Sequence, residues 1–86
     1  MTYSIYKLFG SYWQGKFIVG GFKTLPAAKE RCADIISHSS AAAKIVLEIW
    51  DTKTKMPVGW VHSEYKGNKG IYYEDREGNY TRIRMW

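Results

Sequence analysis

Alternation of apolar and polar positions divides this chain into short extended runs on either side of one helical segment. From Tyr3 to Phe9, the side chains of Tyr3, Ile5, Lys7 and Phe9 fall on one side and those of Ser4, Tyr6 and Leu8 on the other, the period of a strand. A second run, Lys16 to Phe22, follows across a connection bounded by Gly10 and Gly15, so the two runs predict a hairpin with Tyr12 and Trp13 at its tip. Gly20-Gly21 inside the second run marks a bulge or a close approach by the next element.

The period then lengthens. Thr24 is a candidate N-cap, and Pro26 suits a first helical turn, where a missing N–H costs nothing. Leu25, Ala28, Cys32, Ile35 and Ile36 make one apolar stripe at helical spacing, with Glu30, Arg31 and Asp34 turned to water, which predicts a helix over 25–37 lying on a sheet. Ser37-His38-Ser39-Ser40 ends it.

Strand periodicity returns from Lys44 to Trp50, with Ile45, Leu47 and Ile49 towards the helix and Val46, Glu48 and Trp50 on the other face. Asp51 to Lys55 reads as a turn into a strand over Val58 to His62, with Pro57 marking an edge or a bulge. Lys66 to Gly70 turns the chain into Ile71 to Glu74, and Arg76 to Asn79 turns it into a closing strand from Tyr80 to Trp86. The predicted order is ββαββββ, an α+β fold in which one helix packs on an antiparallel sheet.

At 86 residues there is room for one domain, taken as 1–86. An apolar share of 45% and an aromatic share of 16% exclude a disordered composition. The N-terminal stretch lacks the basic and apolar regions of a secretory signal, and a single cysteine, Cys32, cannot close an internal disulfide; both predict a cytoplasmic protein. No apolar run approaches the roughly 18–20 residues that span a bilayer, so no membrane partner is expected. The formal charge of +5 favours nucleic acid or an acidic protein surface as a partner.

Motifs for chemistry fail one by one. Gly10 to Lys16 fits the phosphate-loop spacing, but Phe17 stands where a magnesium-holding Ser or Thr belongs, and the next residues read as strand where a helix N-terminus is needed. Cys32, His38 and His62 lie too far apart in sequence to begin a metal site, and Cys32 falls on the apolar helix stripe. Glu74-Asp75-Arg76-Glu77 is an exposed turn, a poor place to raise a carboxyl for general acid work. No nucleophile elbow is present, and neither an enzyme nor a cofactor is expected.

What remains is surface. Four Trp, seven Tyr and three Phe exceed what one helix and one sheet face readily hide. Strict alternation in the closing strand puts Tyr80, Arg82, Arg84 and Trp86 on one face and Thr81, Ile83 and Met85 on the other. With the closing strand in the same sheet as Trp50, with Trp60 or Tyr72 between them depending on register, and with Lys53 and Lys55 in a turn, these residues predict a basic, aromatic platform for single-stranded RNA or DNA. The alternative is a protein-binding module or inhibitor, for example a phage-encoded inhibitor of a host machine, using the same Trp, Tyr and Arg surface. Successive turns of a meander lie at opposite ends, so Lys53 and Lys55 are expected apart from Lys66 and Lys69. Exposed edge strands allow a homodimer.

Overall fold

A computed structural model describes residues 2–7, 16–39 and 45–85. Its elements are β1 (Tyr3–Lys7), β2 (Lys16–Phe22), α1 (Leu25–Ser37), β3 (Val46–Asp51), β4 (Met56–Tyr65), β5 (Asn68–Asp75) and β6 (Tyr80–Arg84). All six strands join one antiparallel sheet in the order β2-β1-β3-β4-β5-β6, and α1 packs across one face, as the sequence predicts. The tip of the first connection, with Tyr12 and Trp13, lies outside the described residues, and so does Trp86.

The helix starts where its cap chemistry places it. Thr24 is extended, and its hydroxyl accepts the Ala27 N–H at 3.2 Å. At the other end the His38 backbone N–H reaches the Asp34 carbonyl at 3.2 Å and the Ser39 N–H the Ile36 carbonyl at 3.0 Å, and His38 Nδ1 lies 2.7 Å from the Asp34 carbonyl. Ala28, Cys32, Ala33 and Ile36 are buried against Ile5, Leu47, Ile49, Val61, Ile71 and Tyr73 from the sheet. Burying each large aliphatic side chain contributes about 1.5–3 kcal/mol, so this one layer carries most of the apolar stabilisation. Burial raises the Cys32 thiol to about 12, which leaves it an unreactive core residue.

The turns follow local chemistry. The Asp51 carboxylate accepts the Lys53 N–H at 2.9 Å, and Lys66 and Gly67 take φ of 50° and 79° to close a two-residue hairpin. The Asp75 carboxylate accepts the Glu77 and Asn79 N–H groups, each at 2.9 Å. Those bonds, the Asn79 backbone N–H first, hold its carboxyl below its ordinary value.

Register shifts decide which way side chains point. In β1–β2 the pairs Tyr3↔Phe22 and Ile5↔Val19 enclose Gly20 and Gly21, the bulge that the glycine pair predicts, and a second shift follows at Ile18. Between β3 and β4, Ile49↔Gly59 is followed by Trp50↔Pro57, so Pro57 sits beside a bulge within an internal strand. On β6, Tyr72↔Arg82 is followed by Ile71↔Arg84, leaving Ile83 extra. Both outer strands, β2 and β6, are therefore interrupted by bulges, which works against further strand addition at either edge.

Candidate functional site

The helix covers one side of the sheet, and among the described residues no second helix covers the other. On that open face the register aligns one residue per strand into a rank that crosses the whole sheet: Phe17, Tyr6, Glu48, Trp60, Glu74, Tyr80. The rank runs ring, ring, acid, ring, acid, ring. A second, shorter rank holds Val46, His62, Tyr72 and Arg82.

Two clusters of rings form along these ranks. Tyr6 lies edge-on to Phe17 at 5.6 Å between centroids and 5.5 Å from the Trp50 ring. On the other side Tyr65 stacks on Tyr80 at 4.0 Å and lies 5.5 Å from Tyr72, while His62 is 5.3 Å from Tyr80. Most of these rings are half-buried by one another, and Phe17 at the edge is 54% exposed. Cross-strand packing of this kind rigidifies the face as well as stabilising the sheet.

Between the clusters stand the carboxylates. Glu48 accepts the Trp50 indole N–H on one oxygen at 2.6 Å and the Trp60 indole N–H on the other at 2.8 Å. Both donors are neutral, so they orient the carboxylate and leave its charge in place. Glu74 lies 2.9 Å from His62 Nε2 and is hydrogen-bonded by the Tyr80 hydroxyl. Tyr80 is raised above its ordinary value, by desolvation first and then by the Glu74 bond and charge. Glu48 and Glu74 sit on β3 and β5 with Trp60 between them, hence roughly 10 Å apart at the usual strand spacing.

Of the residues expected to make a platform, Trp50, Trp60, Tyr72, Tyr80 and Arg82 do share the open face. Arg84 does not. The bulge at Ile83 reverses the alternation, so Arg84 turns to the helix side, where Nη1 meets Asp34 at 2.8 Å and Nη2 meets Glu30 at 3.3 Å. Ile83 packs on the core, as alternation predicts. Trp86 lies outside the described residues.

Lys53 and Lys55 occupy the β3–β4 turn at one end of the sheet, while Lys66 and Lys69 stand at the β4–β5 turn at the other, with Lys66 Nζ 5.3 Å from the Tyr65 ring centroid. Apart from Arg82, the basic residues expected at the site do not converge on the face. Tyr6, Phe17, Glu48, His62, Tyr65 and Glu74 were not among the residues expected to form the site. Alternation alone puts Glu48 beside Trp50, but the register that brings Tyr6, Trp60 and Glu74 into line with it is a property of the assembled sheet.

On the helix side a groove of about 390 Å³ runs between α1 and β6, lined by Pro26, Lys29, Glu30, Ala33, Ile83 and Arg84. Lys29 caps the Tyr73 ring at 3.8 Å, and Arg84 is paired with two acids, so the cations of this groove are engaged within the fold. Among the described residues no cluster of His, Cys, Asp or Glu is grouped to hold a metal, and no helix is long and apolar enough to cross a membrane. Comparison with protein-family models, with curated proteins and with solved structures finds no match to this chain.

Proposed function

We propose that this domain is a non-enzymatic protein-binding module, and that its open sheet face takes a partner segment carrying cationic side chains between apolar ones. The observation that supports this reading is the rank Tyr6-Glu48-Trp60-Glu74-Tyr80, in which carboxylates alternate with rings on a half-buried surface. Rings of this type give contact area at low entropic cost, and they attract cations through their faces. The carboxylates at the centre supply the complementary charge.

Two facts weigh against the nucleic-acid reading of the same face. Phosphates would meet Glu48 and Glu74 at its centre, and the lysines that would neutralise them stand at the two far ends. Apart from Arg82 at the β6 edge, the excess positive charge thus stands away from this rank, and the preferred partner is cationic where it touches Glu48 and Glu74. A cytoplasmic site of action accompanies the proposal, supported by a chain with one cysteine that is buried.

The test is a titration by tryptophan fluorescence, with amide and indole N–H shifts mapped by NMR. One probe is a ten-residue synthetic peptide alternating basic and aromatic or leucine residues; a second has glutamate in place of each basic residue; a third is an oligothymidylate of similar length. Saturable binding of the first, at least 10-fold tighter than the second and centred on Trp50, Trp60 and Tyr80, supports the proposal. Binding of the oligonucleotide to that face, weakening steeply with salt, replaces it with the nucleic-acid reading. No binding by any probe overturns both.

A further inference from the structure

Both carboxylate oxygens of Glu48 are held by donors on the open face. A carboxylate offers about four lone-pair positions, two on each oxygen, and the indole N–H groups of Trp50 and Trp60 take one on each. About one therefore remains on each oxygen. A planar, forked donor can take one position on each with two parallel N–H bonds.

We infer that Glu48, bordered by Tyr6, Trp50 and Trp60, is a subsite for a guanidinium group, and that the partner segment inserts an arginine there. The inference rests on the protein-binding reading and narrows it to one side chain. Three features of the arrangement favour arginine over lysine.

The first is the fork, since an ammonium is a point donor that satisfies one oxygen at a time. The second is hydration. Guanidinium is the more weakly hydrated cation and loses less on entering a half-buried, ring-lined place. The third is that both carboxylate oxygens are already held by donors on β3 and β4, so little further ordering is needed when the ligand arrives. Tyr6, whose ring lies 5.5 Å from that of Trp50 and which pairs with Glu48 across β1–β3, closes the side of the subsite away from Trp60.

Glu74, the other carboxylate of the rank, does not present the same fork. One of its oxygens lies 2.9 Å from His62 Nε2, a ring that can itself carry positive charge, and the Tyr80 hydroxyl also bonds this carboxylate, so Glu74 has a partner of cationic type within the fold where Glu48 has only neutral indoles. The two acids are thus distinguished, and the arginine is assigned to Glu48.

The probes are arginine amide and lysine amide, added to the intact protein while the indole Nε1–H resonances of Trp50 and Trp60 are followed. Arginine amide is expected to shift both resonances saturably in the millimolar range, at least 5-fold more tightly than lysine amide. Glu48→Gln, which keeps the shape and removes the charge, is expected to weaken arginine amide roughly 10-fold. Because that variant also disturbs an indole bond, the comparison of the two amides on the unmodified protein stands as the fold-independent measurement.

Equal affinities for the two amides, or an arginine response centred on Glu74 and Tyr80, overturn the arginine assignment. The wider reading survives that result as long as the basic ten-residue peptide still binds the face. If arginine amide produces no saturable shift and the peptide also fails to bind, both the subsite and the protein-binding reading are refuted.

Discussion

Replacing Gly59 with alanine tests the face assignment on which the binding site depends. Gly59 lies on β4 under the Tyr73 ring, and a β-carbon there would overlap the phenol, with Cε1 at 2.5 Å. Tyr73 is only 6% exposed; its hydroxyl donates to the Val58 carbonyl at 3.2 Å, and Lys29 lies 3.8 Å over its ring. The ring must leave its place, losing a hydrogen bond of about 1 kcal/mol, a cation–π contact of about 0.5–1 kcal/mol and about 1–2 kcal/mol of apolar burial. The sum is about 2.5–4 kcal/mol, a large part of the roughly 5–15 kcal/mol that holds a domain folded. Urea unfolding followed by far-UV circular dichroism reads it directly.

A double-mutant cycle isolates the cause: in a Tyr73→Ala background the Gly59→Ala cost should fall by at least about 2 kcal/mol, because nothing then occupies the space. Gly67→Ala is the control for backbone strain without crowding, since its φ is +79° and nothing lies within 4 Å of its β-carbon; about 1 kcal/mol is expected. If Gly59→Ala costs less than about 1 kcal/mol, or the cycle is additive, Tyr73 does not lie over Gly59. The alternation that places Trp60 and Glu74, their immediate neighbours in sequence, on the open face would then lose its basis.

Arg84→Ala should lower stability by about 0.5–1.5 kcal/mol, less at high salt, because its pairs with Asp34 and Glu30 are partly exposed, while Arg82→Ala should stay within about 0.5 kcal/mol of the parent. Equal thermal shifts in the two variants would contradict the bulge at Ile83. Cys32 should resist a thiol-reactive chromogen in the native protein near pH 8 and react fully in denaturant; rapid native reaction would show that the helix does not bury it. Its folded thiol stays protonated up to about 12, so above about pH 8.5 the unfolded chain binds fewer protons than the folded one and this group's contribution to stability falls as pH rises.

Much of the fold was legible because each element announces itself locally. The helix begins at Thr24 and ends at Ser37 as its cap and stripe require, and the strand over Lys16 to Phe22 needs only its own alternation and flanking glycines. Bulges were legible only where glycine or proline marks them, at Gly20-Gly21 and at Pro57. The bulge at Ile83 carries no such residue. Its extra position lets Arg84 reach two acids on α1 while Ile83 still packs on the core, a gain that exists only once helix and sheet are assembled. Strict alternation therefore placed Arg84 on the wrong face, one of the two arginines expected there.

The same reasoning explains why net charge alone does not describe this face. Charge summed over a chain predicts the far field, which salt screens within about 8–10 Å, whereas recognition depends on which groups share a surface. Here strand register gathers Glu48 and Glu74 among rings at the centre of the open face, sends Lys53 and Lys55 to one end and Lys66 and Lys69 to the other, and commits Arg84 to the helix. The open face of a basic protein thus carries two carboxylates among rings at its centre. A cationic segment approaching it is repelled at a distance by the +5 charge and attracted on contact by Glu48, so moderate salt should leave its binding weakened little or even improved. A polyanion would show a steep loss with salt, so the steepness of the salt dependence separates recognition by this face from attraction by the rest of the molecule.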